Sequence, residues 1–163
     1  MRSPWLSMMM AETALVTAIT AGNYTLQAGA APINPNAPVN PNAPAVNATG
    51  TVLRYNNRVR SAAADWSFYP VGTTFRIKGL PYLYVVDDYG SALLGTGTVD
   101  IYKPTKEIMA QWGRRNVELT VVQWGSFTRS AELLSQRTSY DHCRKMLANI
   151  VRQRPDLGRV AKL

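Results

Sequence analysis

The stretch DDYGSALLGTGTVDIY, residues 87–102, places three aspartates and three glycines in sixteen positions of a 163-residue chain that holds only ten acidic residues. It follows an apolar run, LYVV at 83–86, and closes on VDIY. Gly90, Gly95 and Gly97 supply backbone freedom for turns, so the stretch reads as a strand end, a glycine loop and the next strand. On a regular strand Asp87 and Asp88 point to opposite faces, so at most one of them shares a surface with Asp100. Working outward, further strands are expected at 13–21, 51–56, 73–77, 82–86 and 116–124, where β-branched and aromatic residues gather between Gly and Pro breaks. Pro104 opens a short helix with Ile108, Met109 and Trp112 on one face and Gly113 at its end. The sum is a small, mainly β domain.

Two segments depart from this pattern. Residues 31–46, APINPNAPVNPNAPAV, space Pro32, Pro35, Pro38, Pro41 and Pro44 three apart, a period that suits an extended polyproline II insertion. Residues 126–163 turn helical and basic, with eight basic and three acidic side chains. There Cys143, Met146, Leu147 and Ile150 recur at helical spacing, with Ser139 and Asp141 as cap candidates. The chain thus divides into an N-terminal segment at 1–12 carrying part of a weak export signal, a barrel-type domain at 13–125 with the 31–46 insertion, and a helical extension at 126–163.

The net charge of +8 favours polyanions of any kind. No nucleic-acid reading module accompanies it, so nucleic acid is not the expected partner. One cysteine, Cys143, and one histidine, His142, exclude an intrachain disulfide and a cysteine zinc cluster. Both read as helix-packing residues. No apolar run is long enough to span a membrane.

The candidate chemistry lies in Asp65, Asp88 and Asp100. Clustered carboxylates disfavour joint ionisation, and an acid with a raised pKa can donate a proton near neutrality, as glycosidic cleavage requires. The same cluster suits a hard cation, or simply closes turns on backbone amides. Trp66 and Tyr89 adjoin two of the acids and are candidates to line a sugar cleft.

At these residues the sequence resembles the 3D domain, named for its three aspartates, found in membrane-bound lytic transglycosylases of the MltA type and in cell-wall-associated stationary-phase proteins. Asp65 stands ahead of Pro70, Gly72 and Thr73. Asp88, Gly90, Ser91, Ala92, Leu93 and Gly95 form the middle motif, with Ser91 where the family has a second glycine. Asp100, Ile101 and Tyr102 form the third, and Trp112, Gly113, Arg114 and Arg115 the last. Upstream, VTAITAG and NATGT match the family's opening strand and turn, so the resemblance runs over 16–124, interrupted by the proline repeat.

The resemblance implies a six-stranded double-psi β-barrel, with the C-terminal helices as an extension. It implies cleavage of the MurNAc–GlcNAc β-1,4 bond of peptidoglycan with a 1,6-anhydro product, and no cofactor or metal. Asp100 becomes the general acid and base, with Asp88 and Asp65 supporting it, and Trp66, Tyr89, Gly90, Ser91 and Tyr102 binding glycan. Peptidoglycan strands are the implied partner in a bacterial envelope or secreted setting, and the C-terminal helices are free to dock a protein. The second domain of the membrane-bound enzymes is missing here. A non-catalytic wall-binding or assembly protein is therefore the alternative.

Overall fold

The computed structural model of the chain describes residues 13–19 and 45–162. The expectations for residues 1–12, for 31–44 of the proline repeat and for the end of the first strand at 20–21 lie outside the described residues. Five strands form a curled mixed sheet: β2 (Val59–Ala64), β3 (Thr74–Ile77), β4 (Leu83–Asp88), β5 (Val99–Ile101) and β6 (Arg115–Gln123). β2 runs parallel to β4 and antiparallel to β5, while β3 is antiparallel to both β4 and β6. β1 (Thr13–Ile19) lies antiparallel to β6 and parallel to β5, so the strand order returns on itself as a closed barrel.

Register fixes the two faces. Ala62 lies opposite Val86 and Ile101, Ala64 opposite Val99, Phe75 opposite Tyr84, and Ile77 opposite Leu119. All of these are buried and together form the inner face. Phe75 and Tyr84 stack there at 5.4 Å between ring centroids. Apolar surface removed from water on this face is the main stabilising term.

The strand expected at 51–56 is not one. That segment makes only isolated bridges, Val46 with Val52 and Tyr55 with Arg60. The strand that follows is β2, VRSAAA, whose alanines and serine are weak β-formers by themselves. It is a strand because it is paired on both sides, and it is small because its outer face is covered as well as its inner one.

α1 (Lys106–Trp112) starts on Thr105, whose hydroxyl accepts from the Ile108 amide at 3.3 Å, and stops at Gly113 with φ 60°. α2 (Phe127–Ser135) is capped by Ser126 through the Arg129 amide. α3 (Asp141–Gln153) has Tyr140 at its N-cap, not Ser139 or Asp141. Asp141 lies in the first turn and pairs with Arg144 and Lys145. The predicted stripe of Cys143, Met146, Leu147 and Ile150 is buried. A 3-10 segment, Pro155–Lys162, follows α3.

These helices lie on the barrel. The Ser130 hydroxyl accepts from the Val71 amide at 2.9 Å, and the Arg137 guanidinium donates to the Ala48 carbonyl at 2.8 Å. The observed architecture is thus mainly β with a helical C-terminal part packed against it.

β6 leaves the barrel through Gly125, where a Cβ would meet the Val71 carbonyl oxygen at 2.3 Å and the Pro70 oxygen at 2.5 Å. Nothing lies within 4 Å of the corresponding position at Gly50, whose only demand is φ +81°. Gly125→Ala is expected to cost about 2–3 kcal/mol by forcing backbone apart, against about 1 kcal/mol for Gly50→Ala. Urea denaturation of the two variants checks this, and equal losses would contradict the close approach.

Candidate active site

The pairing of β2 with β4 runs evenly from Val59 opposite Leu83 to Ala62 opposite Val86, and then jumps to Ala63 opposite Asp88. Asp87 is the inserted residue of a β-bulge. The bulge overturns the expectation that Asp87 and Asp88 face apart. Asp87 accepts from the Ser61 hydroxyl at 2.7 Å, and Asp88 stands opposite Ala63. Ser61 and Ala63 lie two apart on β2, so both carboxylates belong to its outer side.

On its other side Ala63 pairs with Asp100 of β5. The result is a row across three strands, Asp88, Ala63 and Asp100, with a methyl group as the only side chain between two acids. Two strand spacings separate their backbones by about 10 Å. That is too wide for a carboxyl dyad sharing one proton.

Each acid has its own environment. Asp65 is 1 % exposed, and both its oxygens are engaged. One accepts from the Ser67 amide at 2.8 Å and the Ser67 hydroxyl at 2.7 Å, the other from the Gly95 amide at 2.8 Å. It ties the end of β2 to the glycine loop and acts on the site through that loop. Asp88 is 2 % exposed. Its Oδ1 accepts from the amides of Tyr89 at 2.9 Å and Ala48 at 3.2 Å, while Oδ2 is buried without a hydrogen-bond partner. Burial lifts its pKa to about 7, opposed by those two amides and reinforced by the neighbouring Asp87 charge. Asp87 is itself lifted to about 6 by burial, against the pull of Ser61 and Arg54. Asp100 is 7 % exposed and stands in the strand between β2 and β1.

The amide that reaches Asp88 is delivered by a turn. Asn47 Oδ1 accepts from the amides of Thr49 and Thr51 and from the Thr49 hydroxyl, and the chain reverses at Gly50. This is the NATGT segment, and its Ala48 is clamped from the other side by Arg137 of the helical part.

The remaining expected site residues separate into two groups. Trp66 is fully buried, its indole N–H donating to the Asp88 carbonyl at 2.9 Å. Tyr89 packs edge-on against it at 4.9 Å, and burial together with a Cys143 contact pushes its phenol well up. Both rings hold the bulge in place and line no open cleft. His142 sits beside Tyr89 and Tyr140, its pKa lowered by burial, in the packing role expected of it.

Gly90 is half-buried, and a Cβ there would press on Leu93 at 3.2 Å. Ser91 is exposed and opens a 3-10 turn, Ser91–Leu93. That right-handed backbone accepts serine where the family has glycine. Tyr102 is half-exposed, and its amide donates to the Ser61 carbonyl at 3.0 Å. Ser61, Ala63, Asn47 and Arg137 are the residues of the site that sequence reasoning missed. Among the described residues no three of His, Cys, Asp and Glu are placed together to hold a metal ion.

Residues 60–123 match the family model of the 3D domain. The match takes in all three family aspartates and the Trp112–Arg115 motif, while the VTAITAG and NATGT stretches fall outside it. No curated protein matches the chain.

Asp88 yields a pH prediction. A carboxyl with a folded pKa above its unfolded value binds more protons when folded, so its stabilising contribution is full below about pH 4 and is lost as pH rises through 7. Wild type should therefore lose stability from pH 5 to pH 8. Asp88→Asn, which cannot ionise, should gain on the order of 2 kcal/mol relative to wild type across that interval. Denaturation at the two pH values decides, and parallel curves would mean that Asp88 ionises normally.

Proposed function

With residues 60–123 a 3D domain, we propose that the protein is a peptidoglycan-directed enzyme of the lytic transglycosylase type, with Asp100 as its working acid and base. The observation that carries this reading is the Asp88–Ala63–Asp100 row. It sets two carboxyl groups on one side of the barrel wall, with a methyl group as the only side chain between them in the row. Asp65, tied to backbone amides, is a positioning residue. Asp88, held near neutral by burial, limits the negative charge around Asp100.

In this reaction the protonated carboxyl gives its proton to the leaving glycosidic oxygen as the C–O bond breaks. The carboxylate then takes the proton of the sugar's own 6-hydroxyl as that oxygen bonds to the anomeric carbon. The product is a 1,6-anhydro sugar, and one carboxyl group serves both steps. A pair of acids at fixed spacing, as in ordinary glycosidases, is not required. The sheet is read accordingly as a six-stranded double-psi barrel over 13–125, acting on glycan strands in the cell envelope or outside the cell. Tyr102, Gly90 and Ser91 are the residues that would contact the glycan in this reading.

A second reading, a non-catalytic wall-binding or assembly protein, is favoured by the burial of the acids and by the backbone capping of Asp65 and of one Asp88 oxygen.

Digestion of purified peptidoglycan with mass spectrometry of the soluble fragments separates the two. Wild type is expected to release anhydro-muropeptides and Asp100→Asn to lose at least a hundredfold in rate, in the range that removal of a general acid costs. Release of reducing-end fragments would mean hydrolysis. No release from either folded protein would leave the binding reading.

A further inference from the structure

At the barrel end where β2 and β6 begin and β5 finishes lie three cations that pair with no carboxylate among the described residues. Arg60 is the second residue of β2, Lys103 lies two residues beyond β5, and Arg115 opens β6. The five ion pairs recorded among the described residues involve none of them. The cations instead sit on aromatic rings. The Arg60 guanidinium lies 4.0 Å from the Tyr55 ring centre and 3.3 Å from that of Tyr82. Lys103 lies 4.9 Å and Arg115 4.1 Å from the ring of Trp112. Arg60 is buried, Lys103 half-buried and Arg115 exposed.

Aromatic faces attract single cations, but they do not neutralise three in one place. Lys103 registers the excess: its pKa is lowered by burial and then by the charges of Arg60 and Arg115. Two donors are also unspent. The Trp112 indole N–H is buried without a partner. Arg115 uses Nε and Nη2 on the carbonyls of Trp112 and Gln111, and no bond to its Nη1 is present among the described residues.

We propose that Lys103, Arg115 and the Trp112 indole N–H form a binding site for a carboxylate, backed by the buried charge of Arg60. Resting on the function proposed above, the ligand is the carboxylate of a peptide substituent carried by the glycan. The site begins three residues along the chain from Asp100, about 10 Å of extended backbone. A nucleic acid fits less well, because Arg60, Lys103 and Arg115 already occupy the ring faces on which bases would stack. Charge-assisted bonds to a planar carboxylate remain the interaction on offer.

The test follows the Trp112 indole N–H signal in the full chain by NMR during titration with a soluble N-acetylmuramoyl peptide bearing free carboxylates. The same compound with its carboxylates amidated, and a single-stranded oligonucleotide, serve as the other two probes. The carboxylated compound is expected to shift the Trp112 signal saturably and to bind at least fivefold more tightly than its amide. The Lys103→Gln, Arg115→Gln double variant should abolish that difference, while Asp100→Asn keeps it. Equal binding of acid and amide, no shift at Trp112, or a preference for the oligonucleotide would overturn the proposal. The wild-type comparison decides even where the double variant does not fold. Carboxylate binding without glycan cleavage would leave this site standing and the enzymatic reading fallen. Cleavage without carboxylate discrimination would do the reverse.

Discussion

One inserted residue in β4 governs the site. Without Asp87 as an extra residue, the even register that pairs Ala62 with Val86 would continue, and Ala63 would face position 87. The bulge brings Asp88 into line with Asp100 and turns both adjacent aspartates to the outer side of β2. It also places three buried acids on neighbouring strands, which the fold must then accommodate. It does so with the hydroxyl of Ser61, the amides of Tyr89 and Ala48, and the guanidinium of Arg54.

That accommodation links distant parts of the chain. The Asn47 turn exists to present an amide to Asp88, and Arg137 from the loop between α2 and α3 holds the carbonyl of the same residue, Ala48. The helical part therefore supports the site and is not a free appendage to the barrel. Trp66, with its indole on the Asp88 carbonyl, and Tyr89, against Trp66 and α3, close the same circuit from below. Removing water from Asp87 and Asp88 raises their pKa values, and the supplied donors limit how far that goes. The unpartnered Oδ2 of Asp88 is the place where the balance is left open, consistent with a proton residing there near neutrality.

Much of this was legible in the sequence, and the remainder was hidden for physical reasons. The glycine loop between two strands, the short helix after Pro104 that ends at Gly113 and the apolar stripe of α3 all follow local rules of turn and period, although Thr105, not Pro104, caps that helix. β2 escaped because a strand covered on both faces is selected for smallness, and VRSAAA carries no alternation to read. Tyr140 took the N-cap of α3 although it offers no capping hydrogen bond, so cap chemistry pointed one residue to either side of it. The acids were identified by their motifs, but their geometry was not, since a bulge leaves no mark in sequence and reverses the face of every residue after it. Trp66 and Tyr89 adjoin two of the acids in sequence, and in the fold their rings pack against each other beneath the bulge.

The site turns on the state of the Asp88 carboxyl, because its burial follows from the bulge and its protonation determines the charge beside Asp100. The most direct measurement is a carbon-detected NMR titration of the aspartate side-chain carboxyls in the folded protein, with Asp88 assigned. A transition near pH 7 is expected for Asp88, far above the usual carboxylate range. An Asp88 carboxyl that titrates below pH about 4.5, among ordinary aspartates, would contradict the burial and register on which the site is built.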